Sequence, residues 1–309
     1  IFVGPDIRQR QSDVGGIKLL MAVAGAWNFS DDELDRTARE IFEADRKLFG
    51  GVPANEALVM LSKFPNSAAP GNWEGDTRGN IVTIVSSDMP FKTQSIQRLH
   101  EQLRHEIFHL WIPNGVVLTG SYDWFYEGFA LYESLKTAVA LNRIRFDDYL
   151  DTLGRAHSID TLQSQRPSLI DASKSRWAGA NTQVYARGML VAFLCDLAIM
   201  QRGKGWNSVD DLVRNVFQTY HNAAEPRDGT EAVLSIMRSR PELSGIVDKY
   251  IQGKETINWD NDLRSAGIEP SSTDFNTTLK VVEKPSGRQK ALLDKLGYNN
   301  WRKLPTDSK

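Results

Sequence analysis

The period of the hydrophobic pattern changes once along this chain, near residue 93, and that change limits the fold more than any other feature. Before it, segments 17–24, 57–64 and 80–86 read as short β-strands, the first following a Gly15-Gly16 turn. One helix interrupts them. Ser30 and Glu33 form a capping-box pattern, and the helix runs to Phe49 before Gly50-Gly51 stops it. The Pro-, Gly- and Asn-rich stretch 65–79 reads as a loop. From Thr93 onward helical spacing takes over, predicting helices over 93–111, 123–142, 181–201, 208–220, 229–239 and 242–252. An extended segment, 276–283, precedes a last helix over 286–296. Strands gathered ahead of helices predict an α+β class, with a mixed lobe over 1–92 and a larger helical lobe over 93–270.

Composition narrows the function classes. A net charge of −2, from 37 Lys+Arg against 39 Asp+Glu, gives no electrostatic reason to expect nucleic acid or an anionic membrane. The longest apolar run, Leu19–Trp27, is nine residues, against the ~20 that a membrane helix needs. Residues 276–309 carry eight Lys/Arg against three Asp/Glu, read as a solvated terminal subdomain. A single cysteine, Cys195, excludes an internal disulfide framework and a Cys-rich zinc site. Any metal must therefore use the five histidines and the carboxylates. The chain opens on Ile1 without a signal-like segment, and an upstream piece is expected to have been removed. The compartment stays open, with an extracytoplasmic or periplasmic one favoured if a signal went with that piece.

The histidines answer the metal question. His105-Glu106-Ile107-Phe108-His109 is an HExxH pattern inside a predicted helix. At about 100° per residue, His109 projects about 40° from His105, so both imidazoles reach one metal while Glu106 faces its water. Ile96, Leu99, Leu103, Ile107 and Leu110 form the helix's apolar stripe, and the motif histidines lie beside Arg98 and Gln102, away from it. A third ligand is offered by Glu127, whose face of the next helix carries Leu131, Ser134 and Ala138. An unpaired carboxylate there would be costly, and a bound cation removes that cost. Glu133, about 120° away, reads as a surface or supporting carboxylate. His100 reads as a packing residue, and His157 and His221 as capping or surface residues. Asn28-Phe29-Ser30 and Asn276-Thr277-Thr278 match glycosylation acceptors.

HExxH followed by a Glu in the segment Glu127-Gly128-Phe129-Ala130 resembles the gluzincin metallopeptidases, most closely the glycyl-aminopeptidase family and next the aminopeptidase N family. Seventeen residues separate His109 from Glu127. The aminopeptidase N pattern has one more, and the difference falls in the Pro113-Asn114-Gly115 loop, which leaves the subfamily open. Val184-Tyr185-Ala186-Arg187-Gly188 resembles the family's YxKG helix with Arg187 in the Lys position, which implies that Tyr185 stabilises an oxyanion. Asp196, on the same face, reads as a structural hydrogen-bonding residue. Gly71-Asn72-Trp73-Glu74-Gly75 occupies the place of the Gly-x-x-Glu motif, which implies that Glu74 grips a substrate's free α-amino group. Gly75 departs from the family's His or Asn.

The resemblance covers about residues 17–270. It implies a thermolysin-like two-lobed catalytic domain over 1–270, a small appendage over 271–309, and an N-terminal β-domain upstream in the full-length protein. It further implies one Zn²⁺ held by His105, His109 and Glu127, Glu106 as general base, and peptides as substrates. The expected activity is that of an aminopeptidase. An endopeptidase or dipeptidase on the same site, and a zinc-retaining module without catalysis, are the alternatives.

Overall fold

The computed structural model describes residues 6–163, 166–205, 207–273 and 276–303. They form two compact units, Ile1–Val117 with Phe217–Ala224, and Leu118–Val216 with Glu225–Lys309.

The first unit is built on a five-stranded sheet in the order β1-β2-β3-β5-β4. Its strands are β1 (Ile7–Val14), β2 (Ile17–Ala24), β3 (Glu56–Lys63), β4 (Trp73–Arg78) and β5 (Ile81–Ser86). The inner pairs β2/β3 and β3/β5 are parallel, and both edge strands run antiparallel to their neighbours. Strand alternation sends Leu19, Met21 and Val23, Ala57, Val59 and Leu61, and Val82 and Ile84 to one buried face. Helices α1 (Asp31–Phe49) and α2 (Lys92–Phe108) pack with this sheet and with each other. Leu34, Ile41 and Phe42 from α1, and Leu99, Leu103 and Ile107 from α2, are fully buried, each contributing about 1.5–3 kcal/mol. Trp111 stacks on Phe49 with ring centroids 5.4 Å apart and donates from Nε1 to the Gly51 carbonyl at 3.0 Å. The α1 capping box is present, and the chain leaves the helix through Gly50 in the left-handed region at φ 70°.

Two expectations change here. Residues 73–78, read as loop, form edge strand β4. Trp-Glu-Gly-Asp-Thr-Arg has no apolar alternation, and backbone pairing to β5 alone makes it a strand. Strand β1, equally polar, had no sequence signal either. The helix over 93–111 is also shorter than its pattern: regular α structure ends at Phe108, and the amides of Leu110 and Trp111 bond three residues back in tighter turns.

The second unit is mainly helical: α3 (Asp123–Ala140), α4 (Phe146–Thr161), α5 (Leu169–Lys174), α6 (Gly188–Arg202) and α8 (Gly229–Arg238), with α7 (Val209–Tyr220) belonging to it as far as Val216. A two-strand pair, β6 (Leu118–Thr119) with β7 (Arg227–Asp228), and a hairpin, β8 (Ile268–Thr273) with β9 (Asn276–Val281), complete it with a last helix, Gly287–Leu296. Helix α4 was not predicted. The span 242–252, expected as one helix, is a 3₁₀ turn, a short α segment and a π segment, Val247–Gln252. Helix α6 follows a π turn, Gln183–Arg187. The combined run Gln183–Arg202 is long and apolar enough to cross a membrane, but 89% of its apolar window is buried in the fold, as in a core helix.

Two side chains for which the sequence left a surface place open, one as surface or capping and one as surface or supporting, are interior. His157 is 8% exposed and stacks on Trp259 at 4.3 Å, with its pKa lowered by burial. Glu133 is 3% exposed, with Lys136 at 3.6 Å; burial pushes its carboxyl well above the usual range. Asp196 accepts from the Tyr132 hydroxyl at 2.8 Å and the Val209 amide at 2.9 Å, a structural role.

Candidate metal centre

In the first unit, the last turn of α2 presents His105 and Glu106, and the turn after it presents His109; all three are buried. His109 Nδ1 lies 3.0 Å from the Ile112 carbonyl, which accepts only if that nitrogen carries the proton. This leaves Nε2 as a bare donor for a metal. The two imidazole Nε2 atoms are 3.2 Å apart. Edge strand β4 supports Glu106: the Thr77 hydroxyl lies 2.8 Å from its Oε2 and 2.9 Å from its backbone oxygen. A Cβ on Gly75 would lie 2.3 Å from Glu106 Oε1, so only glycine lets the strand approach this closely. Asn114 ties the same parts together, accepting from the Gly79 amide at 2.8 Å and donating to the carbonyls of Thr77 and His109 at 2.9 and 3.0 Å.

Glu74 sits on β4 beside Gly75 and is exposed. Successive strand residues point to opposite faces, so Glu74 projects away from the face on which Gly75 meets Glu106.

In the second unit, α3 carries Asp123 and Glu127 one turn apart. Arg176, in the 3₁₀ turn Arg176–Ala178, reaches both, with Nη1 3.0 Å from Asp123 Oδ1 and 2.8 Å from Glu127 Oε1. Its Nη2 donates to the Tyr185 hydroxyl at 2.5 Å. Burial works against the charge on Arg176, but Glu127 and Asp123 outweigh it and leave its pKa above the ordinary value. Arg187, in the expected Lys position, is fully buried and bonds Asp160 and the carbonyls of Tyr250 and Glu255, so it braces the fold. Arg176, Thr77 and Asn114 had no signal in the sequence, since each acts through partners distant in the chain.

One ligand atom each from His105, His109 and Glu127 falls within 4.8 Å of the other two, the one such grouping of His, Cys, Asp or Glu among the described residues. Two imidazoles and a carboxylate match the donor set of a catalytic zinc that keeps a fourth position open. The residues fit the metal.

No protein-family model matches this chain, and no curated protein matches it in sequence. Solved structures match its fold. An aminopeptidase N family protein from Idiomarina loihiensis matches with a TM-score of 0.75 at 17% identity, over 86% of this chain and 50% of its own. An M1 zinc metallopeptidase from Deinococcus radiodurans matches at a TM-score of 0.54 and 17% identity, over 82% and 52%. Legionella pneumophila aminopeptidase A, solved with aspartic acid, matches at 0.51 and 14%, over 80% and 28%. This chain thus spans about half the length of the first two. Its fold is of the zinc metallopeptidase class. Within that class it is the fold of the M1 aminopeptidase N proteins, in agreement with the gluzincin resemblance of the sequence.

Proposed function

We propose that this chain is the catalytic part of a zinc-dependent aminopeptidase with a thermolysin-like two-lobed site, its catalytic region lying within residues 1–270. The observation that carries the reading is the HExxH pair with its two Nε2 atoms 3.2 Å apart, together with the Glu127 carboxylate as the third donor. A Zn²⁺ held by His105, His109 and Glu127 would supply a Lewis acid and a water whose pKa is lowered to ~7. Every other step belongs to side chains. Glu106, held by Thr77, takes a proton on its carboxylate and returns it to the leaving amine. Tyr185 donates its hydroxyl proton in a hydrogen bond to the oxyanion of the tetrahedral intermediate. The outer edge of β4 offers backbone groups for an extended peptide to pair with. The resemblance assigns the peptide's free ammonium to Glu74, whose side chain lies on the face of β4 opposite the one that meets Glu106. One of the Deinococcus structures holds a Tyr-Ser-Ala substrate, which supports peptides as the substrate class.

The test is a panel of aminoacyl fluorogenic substrates, free and N-acetylated, with and without a chelator. Chelator-sensitive cleavage of free amines only is expected. Cleavage of the blocked substrates would replace the aminopeptidase by an endopeptidase, and zinc binding without hydrolysis would leave a binding module. Glu106→Gln is expected to retain zinc while kcat falls by about 10²–10⁴; an active variant would remove Glu106 from the mechanism.

A further inference from the structure

Arg176, its side chain 11% exposed, touches both functional side chains proposed in the second unit, Glu127 and Tyr185. Its place is set by local structure. Ser168 caps α5, accepting from the Asp171 amide. Ser173, near the end of that helix, accepts at Oγ from the Trp124 amide at 2.7 Å, which docks α5 onto the first turn of α3. The chain then enters the 3₁₀ turn with the Arg176 side chain only 11% exposed.

A guanidinium only donates, and its donors form a rigid planar fork. Two consequences follow from the contacts. Nη1 holds Glu127 through Oε1, so the direction of the other carboxylate oxygen is set by the arginine. Nη2 lies 2.5 Å from the Tyr185 oxygen, which must therefore be the acceptor. The tyrosine's own O–H then points elsewhere, and a charge-assisted bond onto its oxygen polarises that O–H as a donor. The local charge count is also informative. Asp123 and Glu127 against Arg176 leave one negative charge, which suits a cation; without the arginine two buried carboxylates would face each other across one helical turn. A purely structural ion pair would need only Asp123.

We infer that Arg176 is a positioning residue that ties the proposed metal ligand Glu127 and the proposed oxyanion donor Tyr185 into one rigid unit. The inference rests on the zinc peptidase reading for its kinetic consequences, but not for its effect on metal binding. Three variants test it, Arg176→Met, Arg176→Lys and Tyr185→Phe, with the Met variant also made in the Phe background. Zinc affinity by chelator competition is measured beside kcat and KM. Removing such a supporting group weakens metal affinity or activity by about 10–100-fold. Arg176→Met is thus expected to weaken zinc binding and lower kcat by factors in that range, with KM moved less than about threefold because the guanidinium is engaged within the protein. In the Tyr185→Phe background the same change should lower kcat much less, since the two act as a unit. Arg176→Lys keeps the charge without the fork and should restore folding but not the coupling. Unchanged zinc affinity with an equal kcat loss in both backgrounds would overturn the inference. Wild-type protein that binds zinc yet hydrolyses nothing would overturn the peptidase reading instead, while the zinc measurements would still decide the role of Arg176.

Discussion

Glu106 is held by a strand that has no side chain at the point of contact. Gly75 departs from the pattern that the sequence resembles, and a side chain there would meet Glu106: with a Cβ, Glu106 Oε1, Cδ and Cγ would lie at 2.3, 2.6 and 2.8 Å. The carboxylate would have to swing away from its hydrogen bond with Thr77. Gly75→Ala should therefore lower kcat by at least about tenfold, as loss of a charged hydrogen bond of about 1.5–3 kcal/mol implies. The fold should survive, because the clash is with the end of a movable side chain. Parallel kcat and thermal-melting measurements check this, and a variant with wild-type kcat would mean that Glu106 has room to spare. Glu106 itself was legible, since helix geometry alone places it beside His105. That Gly75 lies against it was not, because the two are joined only by strand pairing and packing.

At the scale of elements, α3 and α6 meet through two glycines. A Cβ on Gly128 would lie 2.4 Å from Gly188 Cα, and one on Gly188 would lie 2.8 Å from both Gly128 Cα and the Trp124 carbonyl. These neighbours are backbone and cannot step aside. Gly128→Ala should cost at least about 1–3 kcal/mol, the range for overpacking, seen as a lower urea midpoint. Because Gly128 follows Glu127 and Gly188 lies three residues past Tyr185, activity should fall with it. An alanine variant of wild-type stability would show that the helices can part freely. Both glycines belong to motifs noted in the sequence, where they had no assigned purpose. Helix α4 escaped notice although its apolar spacing is helical, because Gly154 interrupts the pattern. That glycine admits β9: a Cβ there would sit 2.5 Å from the Thr277 carbonyl. The α1 cap offers a pH test. The Ser30 backbone amide, and then Lys92, hold Glu33 down at about 2 from its usual 4.5. A depressed folded pKa stabilises above the unfolded value and loses that contribution as pH falls. The stability difference between wild type and Glu33→Gln should be constant above pH 4.5 and vanish as pH approaches about 2. A difference that persists at the acid end would sink the assignment.

For the whole molecule, the proposed metal offers a test through stability. A ligand that binds only the folded state stabilises by about 4.1 kcal/mol at a thousandfold excess over its Kd. Zinc should therefore raise the melting temperature, and a chelator should reverse the rise. His105→Ala should melt at the same temperature with zinc and with chelator. A zinc-induced rise that survives in His105→Ala would place the metal elsewhere, with scanning calorimetry as the measurement.

What the sequence determined by itself was local. The HExxH pair, the capping box of Ser30 and Glu33, and the strand and helix periods all depend on geometry within a few residues, which the chain carries wherever it folds. The α+β order of elements followed from the same periodicity. The tertiary structure decided the rest. It made residues 73–78 a strand, because hydrogen bonds between backbones carry no side-chain signature. It brought Thr77 to Glu106 across 29 residues and Arg176 to Asp123 across 53, contacts that no local period encodes. The residues proposed to do chemistry were legible where one helix holds them together, and those proposed to aim it were not, because folding alone supplies their partners.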